Sequence, residues 1–240
     1  MRKLAFLAVL LAAPALADEA KIRKALEPKL GGAKIEGIQP APVAGLWEVR
    51  LRTERGIRIL YTDASATHVI DGNIHEVRSN RDLTEERLRK LNAIKFESLP
   101  LDLAVKVQRG SGKRVLAMFS DPYCPACRQF ERNLAKIDDI TVYVFMYPVI
   151  RPENADHSKA VWCSPDRAKA WLELAAAAQA KVPQASPNCA HPIDKVHDLG
   201  RKLGVNSTPT LFFANGERLS GGLGADDLKE LLDRSATAPR

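Results

Sequence analysis

Residues 119–127 read Phe-Ser-Asp-Pro-Tyr-Cys-Pro-Ala-Cys after an apolar run, and residues 206–209 read Asn-Ser-Thr-Pro before another apolar run. A Cys-x-x-Cys pair placed where a strand turns into a helix is typical of a dithiol/disulfide redox centre. Cys124 is predicted to lie at the helix N-terminus, where the macrodipole and the unpaired backbone N–H groups favour a thiolate. Cys127 follows one turn later, so the two sulfurs can form and release a disulfide.

The segments around this motif indicate an α/β layer arrangement. Residues 114–119 are predicted to form a buried strand, and the helix after it carries Phe130, Leu134 and Ile137 at positions i, i+4 and i+7. The later predicted elements are a strand at 140–147, a helical section at 155–203 that includes an alanine-rich stretch at 171–180, a hairpin at 210–214 and 217–220 around Asn215-Gly216, and a helix at 226–232.

The start of the chain has the features of a secretory signal peptide. Arg2 and Lys3 form a basic segment, residues 4–13 are apolar, and Ala15-Leu16-Ala17 fits the small-x-small rule for cleavage. The apolar run is too short to span a bilayer, so removal of residues 1–17 is predicted rather than anchoring. Export would bring the mature chain into an oxidising compartment, where disulfides persist.

The amino-acid composition argues against two classes of protein. The 240 residues carry a formal net charge of +7, but no Lys/Arg block is interleaved with aromatic residues, so nucleic-acid binding is not predicted. The four cysteines are too few for a scaffold held together by disulfides, so a hydrophobic core must stabilise the fold.

Residues 18–80 are predicted to form a small N-terminal domain of strands and one short helix near residues 20–30. Trp47, Val49 and Leu51 alternate with Glu48, Arg50 and Arg52, which is typical of a strand with two different faces, and further short strands are predicted at 57–61 and 68–77. A strand-rich body of this size is marginally stable alone, which favours pairing with a second copy.

Residues 81–100 are predicted to be a linker helix. Asp82 can cap it, Glu85 completes a capping-box pattern, and Leu88, Leu91 and Ile94 recur every three residues up to a helix end at Ser98. The remaining residues, 101–240, would then form the catalytic domain.

Over nearly all of the predicted mature chain, the sequence resembles the periplasmic disulfide-bond isomerases of the DsbC/DsbG family. The matching segments are residues 38–45 (Ile-Gln-Pro-Ala-Pro-Val-Ala-Gly), the motif at 119–127, Trp162-Cys163 and residues 204–209 (Gly-Val-Asn-Ser-Thr-Pro). The resemblance implies a thioredoxin fold with a helical insertion, preceded by a small α+β dimerisation domain. It also implies a V-shaped homodimer whose uncharged cleft receives misfolded exported proteins, and regeneration by a membrane thiol-disulfide reductant of DsbD type, without a cofactor.

The same resemblance assigns roles to individual residues. Cys124 and Cys127 would be catalytic, and Cys163 and Cys189 would form a structural disulfide. Thr208-Pro209 would be a cis peptide bond that presents backbone to the substrate. The general frequency of cis X-Pro bonds would instead favour a trans proline in a turn. Tyr123 is predicted either to contact the substrate or to pack internally, and Asp121 either to tune Cys124 or to cap the following turn.

Two positions depart from the family pattern. Family isomerases commonly have Gly-Tyr between the active cysteines, whereas this chain has Pro125-Ala126. Pro125 has no N–H to offer a thiolate, but its fixed φ suits the first position of a helix. Thioredoxins bury an acid six residues before the first cysteine, where this chain has Met118, and the sequence identifies no proton acceptor for Cys127.

The predicted function is isomerisation or reduction of non-native disulfides. A lowered pKa at Cys124 would help the reaction mainly by making Cys124 a better leaving group. Its rate of attack would gain less, because intrinsic nucleophilicity falls with pKa. The alternatives are a sulfenic-acid reductase of DsbG type and a holdase chaperone that uses the dimer cleft. A zinc site built from all four cysteines lacks a second close pair. The five histidines, His68, His75, His157, His191 and His197, show no ligand spacing and are assigned no function.

Overall fold

The first half of the chain is organised around an antiparallel sheet. The computed structural model describes residues 13–53, 56–151, 153, 155–176 and 189–237, and divides the chain into a first unit up to Leu88 and a second unit from Arg89. Most of the predicted signal peptide, residues 1–12, lies outside the described residues. The elements of the first unit are helix α1 (Ala13–Leu26), strands β1 (Lys34–Pro40), β2 (Leu46–Thr53), β3 (Gly56–Asp63) and β4 (Val69–Ile70), which pair in that order, and the separate pair β5 (His75–Glu76) and β6 (Arg81–Asp82).

The two faces of this sheet are buried in different ways. Ile22 and Leu26 of α1 pack with Val49, Leu51 and Leu60, so the predicted apolar face of β2 is confirmed as a core face. On the other face, Glu48 and Tyr61 are opposite each other in the β2–β3 register, and both are buried.

Helix α2 (Leu83–Leu91) begins where the sequence predicts but ends earlier. Asp82 caps it, since its Oδ1 accepts a hydrogen bond from the Glu85 N–H at 2.9 Å. The prediction that the helix continues to Ser98 is wrong. The Ile94 N–H donates instead to the Gly216 carbonyl at 3.0 Å, and Phe96 and Leu99 enter a core of the second unit through two short 3₁₀ turns, Phe96–Ser98 and Leu101–Leu103.

The second unit is a five-stranded mixed sheet covered by helices. The strands run in the order β11-β10-β8-β9-β7, with β8 and β9 parallel and the other pairs antiparallel. Its elements are β7 (Val105–Arg109), β8 (Arg114–Ser120), α3 (Pro125–Leu134), β9 (Ile140–Met146), α4 (Ala155–Trp162), α5 (Arg167–Ala176), α6 (Ile193–Lys202), β10 (Thr210–Phe213), β11 (Arg218–Ser220) and α7 (Ala225–Thr237).

The central strand β8 is buried on both faces. Leu116 and Met118 belong to a core that includes residues of α3, α5 and α7, whereas Ala117 and Phe119 belong to a second core that includes Val196 of α6. A strand covered on both sides is expected to be a continuous apolar run rather than an alternating one. The two helix layers therefore fix the end of β8, where the redox motif begins.

Most of the predicted elements of this unit are confirmed. The hairpin turns at Gly216, whose φ of +84° suits glycine and where a Cβ would collide with the Ile94 carbonyl oxygen. The predicted helical section contains three helices, and residues 177–188, which include part of the alanine-rich stretch, lie outside the described residues. In the part of the chain that the structure describes, no helix is long and apolar enough to cross a membrane.

Candidate active site

Cys124 is the N-cap residue of α3, as its position in the motif predicts. Its backbone is extended, with φ −74° and ψ 121°, and its carbonyl accepts the first helical hydrogen bond from the Arg128 N–H at 3.1 Å. Pro125 occupies the first turn, where a missing N–H removes no helical hydrogen bond. Cys124 and Cys127 are both free thiols, with 6% of Cys124 and 2% of Cys127 exposed.

The two thiols have different surroundings. Burial raises the pKa of Cys127 to about 12, and the nearby Cys124 acts in the same direction. Hydrogen bonding by the Ser120 hydroxyl, the Asp121 backbone and the Thr208 hydroxyl counteracts this rise. Met118, at the sequence position where a thioredoxin has a buried acid, lies in the core, so the polar groups near Cys127 come from other positions. Ser120 was missed by sequence reasoning, although it is a polar residue ending an apolar strand.

Thr208-Pro209 lies against Cys124 and is a cis peptide bond, as predicted. The Cys124 thiol donates to the Thr208 carbonyl oxygen at 3.3 Å. Thr208 Oγ1 is buried and lies close enough to Cys127 to donate to a thiolate there. The loop before β10 thus contributes a carbonyl near one sulfur and a hydroxyl near the other.

Asp121 organises the loops on the same side of the sheet. Its carboxylate accepts hydrogen bonds from the backbone N–H groups of Tyr123 at 2.8 Å, and of Val149 and Ile150 at 2.7 Å each. Asp121 therefore caps the turn that follows it, and it also fixes the loop after β9. Val149 and Ile150 are 39% and 53% exposed, and the sequence analysis did not select them. Their position after a strand parallel to β8 could have indicated them.

Tyr123 is half-buried and packs against the core that contains Phe130. Its hydroxyl forms a hydrogen bond with Nδ1 of His157 in α4, and burial raises the pKa of the phenol. The buried part of the Tyr123 ring therefore fits the prediction of internal packing. His157, to which the sequence assigned no function, has a defined partner beside the motif.

Cys163 and Cys189 form a disulfide with a Cα–Cα distance of 6.1 Å, as the resemblance implies. Both pack against the core under α3, so the disulfide joins α4 to the segment before α6. The two sulfurs are bonded to each other, which removes them from a four-cysteine zinc site. Among the described residues, no group of three or more His, Cys, Asp or Glu residues has the arrangement of a metal site.

Comparison with known protein families agrees with this geometry. Residues 101–236 match the model of a thioredoxin-like domain, and residues 13–85 match the disulfide bond isomerase protein N-terminal domain. The chain is 40% identical over 211 residues to a probable thiol:disulfide interchange protein DsbC of Bordetella pertussis, a match that covers 88% of this chain and 73% of that protein. The chain belongs to the DsbC family.

Other relatives extend this match. The thiol:disulfide interchange protein DsbC of Escherichia coli K12 is 30% identical over 226 residues, covering 91% of this chain and 89% of that protein. A crystal structure of a disulfide interchange protein from Neisseria gonorrhoeae has 38% identity and a TM-score of 0.55, and the match covers 58% of this chain and all of that one. The resemblance stated from the sequence, the thioredoxin-like fold and the class of enzyme, a thiol:disulfide oxidoreductase, are thereby confirmed.

Proposed function

We propose that this chain is a periplasmic thiol:disulfide isomerase that also reduces non-native disulfides in exported proteins. The observation that carries this proposal is the contrast between the two active-site thiols. Cys124 lies at the start of α3 beside the Thr208 carbonyl, whereas Cys127 is more deeply buried and its pKa is raised to about 12. The first is suited to attack a substrate, and the second is slow to form the thiolate that would end the reaction.

The reaction begins when the Cys124 thiolate attacks one sulfur of a substrate disulfide. A mixed disulfide forms, and the other substrate sulfur leaves as a thiolate. In isomerisation, a substrate thiolate attacks its own half of the mixed disulfide, which forms a new substrate disulfide and releases Cys124 as a thiolate. No net electrons are transferred, so the enzyme is ready for another cycle.

Reduction uses the second cysteine. The Cys127 thiol loses its proton and attacks the Cys124 sulfur, which forms a Cys124–Cys127 disulfide and releases the remaining substrate thiolate. The substrate gains two electrons, and an external dithiol, proposed to be a membrane reductant of DsbD type, must return them. Because the raised pKa of Cys127 keeps its thiolate scarce, the mixed disulfide persists longer, which favours isomerisation over reduction.

The surface beside Cys124 supports an extended apolar substrate. The backbone at Thr208-Pro209 offers a strand-like edge, as in other modes of peptide recognition by added strands. Val149 and Ile150 are exposed next to the loop that Asp121 fixes, so they can contact apolar side chains of an unfolded protein. We assign substrate contact to Thr208, Pro209 and the exposed part of Tyr123.

A homodimer through residues 18–80 completes the proposal. Strand β4 has a partner strand only on its β3 side within the described residues, and its Val69 and Ile70 are about half exposed. Val77, in the same unit, is 94% exposed. An unpaired edge beside exposed apolar residues is expected to pair with another chain, and a second copy is the simplest partner.

The test uses a substrate protein with scrambled disulfides and two single variants. Cys124→Ser is expected to abolish isomerisation, whereas Cys127→Ser should accumulate mixed disulfides with the substrate and retain part of the isomerase activity. Alkylation at graded pH should label Cys124 before Cys127. Faster labelling of Cys127, or full activity of Cys124→Ser, would contradict the assignment.

The same variants separate the alternatives. A holdase chaperone would suppress aggregation equally well with both cysteines replaced. A sulfenic-acid reductase would restore a singly oxidised cysteine faster than it rearranges disulfides.

A further inference from the structure

Three basic side chains converge on Tyr123, the residue directly before the nucleophile. The Cζ atom of Arg128 lies 5.6 Å from the centroid of the Tyr123 ring, and that of Arg151 lies 6.0 Å away. The His157 ring is 5.6 Å from the Tyr123 ring, and its Nδ1 is hydrogen-bonded to the phenol oxygen. Two guanidinium groups thus lie near the ring of the residue directly before Cys124, whereas the family resemblance implies an uncharged surface there.

One acid, Asp121, lies near this cluster and acts electrostatically on Tyr123, but neither arginine has an ion-pair partner among the described residues. Arg128 Nε donates to the Pro122 carbonyl at 2.7 Å, but its Nη2 is buried and has no hydrogen-bond partner there. Neither Arg128 nor Arg151 forms an ion pair with an acid in the same part of the chain. The Asp121 carboxylate is directed to the loops rather than to the guanidinium groups, since it accepts hydrogen bonds from three backbone N–H groups.

A buried guanidinium N–H without an acceptor is costly, and such groups usually have a ligand or a partner that completes them. Arginine binds carboxylates with particular geometric preference, because its planar fork matches the two oxygens. Each guanidinium group lies within cation–π distance of the Tyr123 ring, which restricts its motion before a carboxylate arrives.

We propose that Arg128 and Arg151, held by Tyr123, form a binding subsite for a carboxylate of the substrate polypeptide. This inference rests on the proposed function. Because Tyr123 and Cys124 are consecutive residues, about 3.8 Å apart at Cα, the subsite recognises an Asp or Glu within one or two residues of the attacked cysteine. Disulfides flanked by an acidic side chain are therefore attacked faster than identical disulfides flanked by a neutral one.

The experiment uses the full-length protein and three disulfide-linked peptides that differ only in one residue beside the cysteine, which is Glu, Gln or Lys. The rate of mixed-disulfide formation is measured in the Cys127→Ser background. The Glu peptide is expected to react about threefold to tenfold faster than the Gln peptide at low salt, and the Lys peptide more slowly than both. The ratio should shrink in about 0.5 M salt, because screening weakens exposed charge interactions.

Arg128→Gln and Arg151→Gln are each expected to bring the Glu/Gln rate ratio close to one. Arg151 is exposed and makes no backbone hydrogen bond within the described residues, so its variant tests the subsite even if loss of the Arg128–Pro122 contact disturbs the loop. Arg132→Gln is the matched control, because Arg132 is exposed, lies one turn further along α3 and donates to Gln129. Its ratio should equal that of the parent.

A parent ratio of one, or an equal loss in Arg132→Gln, would overturn the subsite. Such a result would leave the proposed function intact, because the Gln peptide would still react. Failure of all three peptides to react would overturn the proposed function, and the subsite with it.

Discussion

The sheets of the two units differ in how their faces and edges are covered. In the second unit, the central strand β8 is buried on both faces by helix layers, and the proposed active site lies at its end. In the first unit, α1 covers one face, while strand β4 leaves an edge and the exposed side chains Val69 and Ile70. We infer that the second unit is complete as a folded domain, whereas the first is completed by another chain.

Cutting the chain between the units should have the largest effect. A fragment of residues 89–240 is expected to be a monomer that still reduces simple disulfides but loses isomerase activity by about tenfold or more, because a single site cannot hold a substrate while bonds are retried. Sedimentation and parallel reductase and isomerase assays measure this. Full isomerase activity in the fragment, or a monomeric parent protein, would contradict the dimer model.

The stability of that fragment should depend on its first residue. Arg89 pairs with Glu217, and the Ile94 N–H bonds to Gly216, so both residues belong with the second unit. A control fragment starting at Leu99 lacks both contacts and should be less stable while exchanging thiols by the same chemistry.

Introducing a charge at the exposed apolar residues of the first unit should produce the next largest effect. Ile70→Lys and Val77→Lys are each expected to weaken dimerisation by about thirtyfold, or about 2 kcal/mol, because a lysine would be desolvated in an apolar contact. Val43→Lys is the matched control for Ile70→Lys, since Val43 is similarly exposed but lies in the connection between β1 and β2 rather than in an edge strand. Equal weakening by all three variants would indicate that the edge has no special role.

The buried ion pairs of the units sharpen the same contrast. In the second unit, Arg89 and Glu217 are both largely buried, with Nε and Oε2 3.4 Å apart, and Arg234 approaches Glu217 only to 3.9 Å. Arg89→Met should lower the free energy of unfolding by about 3 kcal/mol, because it leaves a buried carboxylate without its main partner. Urea denaturation measures the loss, and replacing Glu217 by Met as well should recover most of it.

The corresponding carboxylate of the first unit is Glu48, which has Arg87 at 3.3 Å and Arg50 at 4.0 Å. Each carboxylate has two cations at similar distances, but the Arg87 side chain is 33% exposed and that of Arg89 only 9%. Solvent screens the more exposed pair more strongly, so Arg87→Met should cost less than Arg89→Met does. A larger loss for Arg87→Met would reverse the ranking of the two sites.

The sequence predicted the active site well because its contacts are local or carried by motifs. The motif at 119–127 specified a strand end, an N-cap cysteine and a second thiol one turn later, and all three are observed. The Cys163–Cys189 disulfide came from the family resemblance alone. Strand β7 was missed although its buried Val105 and Val107 alternate with exposed residues, a pattern that was available in the sequence.

Other features depended on distant partners and left no local signal. The end of α2 at Leu91 is set by backbone pairing between Ile94 and Gly216, more than a hundred residues apart. The burial of Glu48 requires Arg87 on another element. Patterns of apolar residues describe which face packs, but they do not identify the polar group that a buried charge will meet.

Glu131 is a buried ionisable group whose partner the sequence did not identify. Its replacement is expected to have the smallest of the predicted effects. It lies on α3 one turn beyond Cys127, is 8% exposed and accepts a hydrogen bond from Trp171 Nε1 at 2.8 Å. Burial raises the pKa of this carboxyl, while the Trp171 hydrogen bond and the Arg109 guanidinium act in the opposite direction. Unlike Glu48 in the first unit, it has no cation within ion-pair distance among the described residues.

The sign of the pH dependence follows from that raised pKa. A carboxyl whose pKa is higher in the folded than in the unfolded state contributes stability that is fully present below the unfolded value, about 4.3, and is lost as the pH rises through the folded value. Glu131→Gln keeps an oxygen acceptor for Trp171 and removes the ionisation. The variant should therefore match the parent near pH 4 and be more stable by about 1 kcal/mol at pH 8. Denaturant unfolding at several pH values measures this, with the exposed Glu230→Gln as control. Parallel stability profiles for parent and Glu131→Gln would show that the second unit accommodates this charge as readily as the first accommodates Glu48.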